Sequence, residues 1–458
     1  MNQAKPPLEF IPPEFNPSVL RITQLLLPAW IYSRTIISKI EAENVKTLVN
    51  LVQEFQQKKI RFLISFRHPQ VEDPFVLGYL FSHIVPKVAR QEKIKLNYPT
   101  HAHPMYDRGI PLWAGSHVGW FFSRLGGTPI QRGKADWTGL RSARNLFVDG
   151  LFPMAASPEG GTNGLSEIIS PLEPGIAQLG FWCAEDLHKA GRNEQVFILP
   201  VGIKYSYTNP PWKSIAELLT ELEEVSGLAV DERGFDSALP QETLYPRLIR
   251  LATHLLSVME NFYQRFYHHS PELTIPQIET SDGNEAIAAR LKCLLDNALK
   301  VSEDYFNLQA KGNFNDRCRK LEQAGWNYIF REDFKDVKAL STIERRLADR
   351  VAEEASLRMW HMRLVESFVA VTGKYVREKP TAERFAETTL LLWKMVAKIK
   401  GDNPFKHPKL GKQRVRISIG EPLSISDKFG DYKASRKAAR IAVADFTSDL
   451  QQAMEKLI

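Results

Sequence analysis

Only three cysteines, Cys183, Cys293 and Cys318, occur in the 458 residues. They are isolated, with no CxxC pair and no even framework. That excludes a disulfide scaffold, argues against a structural zinc site and fits a reducing compartment. Long apolar runs are also scarce. The strongest, Ile22 to Ser33 and Gly109 to Ser123, are each bracketed by arginines and interrupted by proline or glycine. Both fall short of the roughly 20 residues that a spanning helix requires, so no bilayer crossing is expected. The N-terminal MNQAKPPLEFIPPEFNP is too proline-rich and acidic for a secretory signal. The chain lacks zinc-finger, RNP-like and basic-zipper signatures, and a nucleic-acid partner is not expected. It also lacks GxSxG, HExxH, internal repeats and any low-complexity tract beyond the leader.

What is present describes a globular protein: 43% hydrophobic residues, 25% charged, and a net charge of +7 from 60 basic against 53 acidic side chains. The excess favours anionic partners such as phospholipid headgroups or acidic carriers. The length allows about two to four domains.

Patterning divides the chain into four stretches. Residues 1–45 join a proline-rich leader to an apolar, net-basic segment, 18–40, which contains Trp30 and Tyr32. Such a segment either lies in a membrane interface or forms a core helix kinked at Pro28. Residues 46–210 alternate helical and strand patterns, which predicts an α/β core with a mainly parallel sheet flanked by helices. A large all-helical insertion is expected over 211–411. A closing strand and an amphipathic helix over 412–458 complete the core.

The stretch RFLISFRHPQVEDPFVLGYL (61–80) organises the rest. A strand-like run ends at Phe66, His68 follows, and Asp73 stands five residues later before Pro74. This places a general base at a strand end with a carboxylate at the next helix start. The plain alternative is a helix N-cap at Asp73 and a strand-terminating histidine. Three further stations follow in order: GGTPIQRG with Arg132, the glycine-rich turn SPEGGTNG (157–164), and FILPVGI with Pro200 inside a strand.

Taken together, the four stations resemble the blocks of the glycerolipid acyltransferase family, which includes lysophosphatidate and glycerol-3-phosphate acyltransferases. The family's HX4D, Gly-to-Arg, FPEGTR-like and Pro-centred segments match residues 60 to 210, and RVRISIGEPLSI is similar to its closing strand. The resemblance implies transfer of an acyl group from acyl-CoA or acyl carrier protein to a glycerolipid acceptor at a membrane surface, in phospholipid synthesis. It implies catalysis by His68 and Asp73, a phosphate ligand in Arg132, and acceptor binding by Glu159, Gly160, Gly161 and Thr162. It requires no cofactor, no metal and no protein nucleophile, and it places the protein in the cytoplasm, peripherally bound.

The all-helical insertion over 211–411 is not part of the family's common pattern, and the chain departs from that pattern in three further ways. Gly161 is extra, Thr162 and Asn163 stand where the family carries an arginine, and Arg67 replaces a small or amide residue, which makes it a second candidate for the acceptor phosphate. Two other readings remain at this stage. One is a metal-dependent hydrolase built on His68, Glu72, Asp73, His101 and His103. The other is a catalytically silent lipid-binding scaffold.

Overall fold

A computed structural model describes residues 3–132, 136–229, 238–268, 283–334, 340–369 and 373–458. The chain forms two compact units: residues 9–208 with 412–458, and residues 1–8 with 209–411.

The first unit is α/β. Its elements in order are α1 (Pro17–Arg34), β1 (Ile37–Glu43), α2 (Val45–Gln56), β2 (Ile60–Phe66), α3 (Asp73–Tyr79), α4 (Val85–Gln91), β3 (His103–Asp107), α5 (Ile110–Ala114), α6 (Ser116–Arg124), β4 (Thr128–Ile130), α7 (Trp137–Asp149), β5 (Met154–Ala156), α8 (Gly175–Lys189) and β6 (Gln195–Tyr207). Strands β7 (Gln413–Ile419) and β8 (Leu423–Ser424) and a helix, Arg436–Glu455, close it. The sheet order is β1-β7-β6-β2-β5-β3-β4, with β8 beside β6. Strands β6, β2, β5, β3 and β4 pair in parallel, whereas β7 meets β6 antiparallel and carries β1 parallel to itself.

Central β2 is buried at every position, as its unbroken apolar sequence requires in a sheet covered on both faces. Its two-residue period divides it between two cores. Phe62, Ile64 and Phe66 join α2 and the α3–α4 segment, while Leu63 joins α7, α8 and the C-terminal helix. Strand β6 divides likewise: Leu199, Val201, Ile203 and Tyr205 face the first core and Val196 and Ile198 the second. Both strands are thereby pinned in register.

Two sequence expectations change. Ile37 and Ile40, assigned to the interface segment, belong to β1 and are buried. Residues 98–132, whose prolines and glycines read as loop-rich in the sequence, hold β3, α5, α6 and β4. The segment 18–40 likewise divides. Helix α1 starts at the Asn16 cap and Pro17, buries Leu20, Leu27 and Ile31, and leaves the opposite face open.

The second unit is helical, built mainly on Trp212–Val225, Pro240–Tyr267, Gly283–Phe306, Phe314–Ile329, Thr342–Glu366 and Ala382–Lys400. Capping boxes start two of these helices, Asn313 with Asp316 and Ser341 with Glu344. Buried ion pairs Arg247–Glu223 and Arg317–Glu303, each at 2.7 Å, lie inside it.

Candidate active site

Strand β2 ends where its backbone still pairs with β6: the Arg67 N–H donates to Val201 O at 2.9 Å. The chain then turns through His68–Glu72 into α3. The turn is held by the Asp73 side chain, whose Oδ2 accepts the Gln70 N–H at 2.9 Å and also lies 2.9 Å from His68 Nδ1. The other oxygen, Oδ1, accepts the Tyr205 hydroxyl from β6. Asp73 is fully buried, and His68 keeps 22% of its side chain exposed. A carboxylate out of contact with water is tolerated when charge-assisted donors surround it. Here three do. The arrangement fixes the imidazole by Nδ1 and leaves Nε2 for an external group, which is the geometry of an oriented general base.

The glycine-rich turn packs against this station. Glu159 Oε1 accepts the backbone N–H of His68 at 2.9 Å, and Oε2 accepts Ser170 N–H at the same distance. Gly164 N–H donates to Pro69 O at 3.1 Å. Gly160 and Gly164 have φ of +68° and +76°, the left-handed conformation that favours glycine. Arg132, just past β4, donates through Nε to Asp107 at the end of β3 and through Nη1 to Gly160 O. His68, the turn and Arg132 are thus joined through direct contacts at the carboxyl ends of β2, β5, β3 and β4, the rim where parallel sheets place ligands. Gly161 is partly exposed and Thr162 exposed on the same turn.

Some sequence assignments change with the geometry. Glu159 is turned inward, only 4% exposed, with both oxygens engaged by backbone N–H groups, so it orders the turn. Burial raises its proton affinity, and the Arg67 charge with the His68 and Ser170 N–H groups opposes that rise. Arg67 has no exposure at all and grips backbone carbonyls, which removes it as a phosphate ligand. Asn163 faces Ile168 O and Ser170 Oγ.

His101 and His103 are not assembled with His68, Glu72 and Asp73. They hold the carbonyls of Leu125 and Gly126, each at 2.9 Å, and pack around Phe152. Among the described residues no three His, Cys, Asp or Glu side chains gather as a metal-binding group. Trp120 is exposed and Phe122 stacks on Tyr106, while the Trp113 side chain and His269 lie outside the described residues.

Tyr205 and Asp107 are the site residues that sequence reasoning missed. Alternation along VFILPVGIKY puts Tyr205 on the same buried face as Val201 and Ile203, but nothing in the pattern names Asp73 as its partner. Comparison of the chain with protein-family models, curated proteins and solved structures finds no match.

Proposed function

We propose that the chain is an O-acyltransferase moving a fatty acyl group from acyl-CoA or acyl carrier protein to a hydroxyl of a glycerol-phosphate-type acceptor, such as 1-acylglycerol-3-phosphate, in phospholipid synthesis. The observation that carries this is the His68–Asp73 pair: an accessible imidazole held at 2.9 Å through Nδ1 by a fully buried carboxylate. The acceptor oxygen attacks the thioester carbonyl carbon as His68 Nε2 takes the hydroxyl proton. A C–O bond forms and the carbonyl opens to an oxyanion. Collapse restores the carbonyl and breaks the C–S bond, and the imidazolium returns its proton to the departing thiolate. Asp73 stabilises the imidazolium between these steps. A base so placed contributes about 10²- to 10⁴-fold in rate.

Arg132 supplies the planar cation suited to a phosphate, on exchanging its present contacts with Asp107 and Gly160. Gly161 and Thr162 offer the exposed edge of the turn to the acceptor. No cofactor enters the sequence.

No helix among the described residues is long and apolar enough to cross a membrane. Peripheral attachment to a membrane surface is supported by α1. Its outward face carries Ile22, Leu25, Leu26, Ala29 and Trp30 at helical spacing, Leu25 being 77% exposed. The helix contains no acidic residue, and Arg21 and Arg34 flank the stripe. Trp30 packs on Phe75, with ring centroids 4.1 Å apart, two residues beyond Asp73. An apolar, net-basic stripe beside the base fits an enzyme that draws its acceptor from a bilayer surface.

The test is acyl transfer by purified protein from labelled acyl-CoA and acyl carrier protein to a panel of glycerol-based acceptors in vesicles. Transfer by the wild type that disappears in folded His68→Ala supports the assignment. Absence of transfer with either donor, or full activity in His68→Ala, defeats it.

A further inference from the structure

We infer that Arg67 is a positioning residue for this site: its guanidinium clamps the 159–170 loop in the register at which Glu159 takes the backbone N–H of His68. Arg67 acts so only if His68 is the transfer base, as proposed above.

The side chain is fully buried, a costly place for a cation; both terminal nitrogens are met, whereas Nε has no hydrogen-bond partner among the described residues. Nη1 donates to Ser166 O at 2.6 Å and to Ile203 O of β6 at 3.4 Å, and Nη2 donates to Leu165 O and Ile168 O. Three carbonyls of one loop therefore converge on a group anchored at the end of the central strands. Glu159, itself buried, lies near enough that the Arg67 charge opposes the rise in its proton affinity that burial causes. Each side of the turn is thereby tied to the chain segment that carries the base. Arg67 holds residues 165–168, Glu159 holds His68 N–H, and Gly164 N–H holds Pro69 O. Lys204 of β6 adds an ion pair to Glu167 at 2.7 Å.

A rigid planar fork is required here, because a lysine ammonium cannot face three carbonyls arranged around two terminal nitrogens. The same loop carries Gly160, whose carbonyl meets Arg132. A loosened loop thus shifts the acceptor side of the site relative to His68, and misplacement by about 1 Å can cost on the order of 10²-fold in rate.

The test combines hydrogen exchange with kinetics on full-length Arg67→Lys, Glu159→Gln and the double variant. In Arg67→Lys, exchange across 159–170 should accelerate at least about tenfold, with peptides from 60–66 and 413–419 unchanged. Its kcat should fall by about 10- to 100-fold with the thioester KM within about twofold. The double variant should lose no more than the worse single one, since both changes release one loop. Unchanged loop exchange, acceleration spread evenly over the sheet, or multiplicative kinetic losses would overturn the inference. If Arg67→Lys does not fold, the near-isosteric Glu159→Gln decides by the same two readouts. If the wild type transfers no acyl group, the acyltransferase proposal fails while the exchange results still uphold or reject the clamp.

Discussion

Tyr205 and Asp73 meet at the buried end of the site: the phenol donates to Oδ1 while Oδ2 takes His68 Nδ1 and Gln70 N–H. A residue in the middle of the sheet therefore sets the carboxylate that sets the imidazole. Burial first, then the charge and hydrogen bond of Asp73, hold the phenol's pKa well above its ordinary value. Tyr205 stays a donor at any working pH. Tyr205→Phe removes one of three donors from a buried carboxylate. A stability loss of about 1.5–3 kcal/mol is expected, the usual range for a hydrogen bond to a charged group. Transfer should fall by about tenfold or less, with KM unchanged and no new pH dependence. Urea melts and initial rates across pH check both; an unaltered rate would show that Oδ1 does not influence the base.

Asp73→Asn keeps the volume but removes the charge that stabilises the imidazolium, and its amide nitrogen cannot accept from the Tyr205 hydroxyl or from Gln70 N–H. The variant is expected to lose about 10²- to 10⁴-fold in kcat, close to His68→Ala. The double variant should be no worse than either alone, because residues that act as a unit are not additive. Independent losses would mean that the two side chains serve different steps.

Much of the fold and of the contacts around His68 was legible in the sequence because it follows from period and punctuation. The apolar run before Arg67, the Asp-Pro helix start and the doubled glycines each obey local rules, and the rim follows from the parallel sheet. What stayed hidden depends on contacts far apart in the chain. Arg67 looked like an anion ligand, since nothing local shows that Leu165, Ser166 and Ile168 turn their carbonyls toward it. Glu159 looked like a ligand because burial of its carboxylate is set by His68 and Ser170. Strand β1 was masked by the apolar face of α1, which runs almost without interruption into Ile36 and Ile37.

His101 and His103 predict how the α/β unit responds to acid. Burial lowers both pKa values from 6.5 to about 4. Between these values the unfolded chain binds protons that the folded chain refuses. The stability present above pH 6.5 is therefore lost as pH falls toward 4, on the order of 3 kcal/mol for each ring. His103→Gln can still donate to Gly126 O and accept from Phe152 N–H, the two bonds the ring makes, but cannot ionise. Buried His361 of the helical unit adds a similar effect, so the informative quantity is the difference in slope between variant and wild type. Urea melts at pH 7.5 and 5 should show a flatter dependence in the variant. Equal slopes would mean that His103 does not titrate on unfolding.

Asp107 occupies Arg132 Nε, where an acceptor phosphate would compete. Asp107→Asn keeps an oxygen for the Gly109 N–H, which Oδ1 accepts at 2.6 Å, but removes the anion. If Arg132 binds phosphate, KM for phosphorylated acceptors should fall by about three- to tenfold, corresponding to about 1 kcal/mol of lost competition from a partly buried pair, with kcat little changed. Acceptors lacking phosphate should show no change. A rise in KM would assign Asp107 to holding Arg132 in its binding position.

The outward leucines of the α1 stripe separate membrane attachment from folding, because Leu25 and Leu26 are largely exposed and contribute apolar area outside the core. Leu25→Ser with Leu26→Ser removes two exposed leucines and should leave the urea midpoint almost unmoved, within about 0.5 kcal/mol. Each leucine carries about 1.5–3 kcal/mol of transfer energy when fully buried. Partial immersion of two should still weaken binding to anionic vesicles by at least about tenfold. Leu20→Ser, on the face already covered, provides the contrast: it should cost about 2–5 kcal/mol of stability through a cavity, while vesicle affinity of the folded fraction holds. Sedimentation with vesicles containing and lacking anionic lipid measures the first effect, and the salt dependence of binding isolates the share due to Arg21 and Arg34. If the double serine variant still binds fully, attachment lies elsewhere.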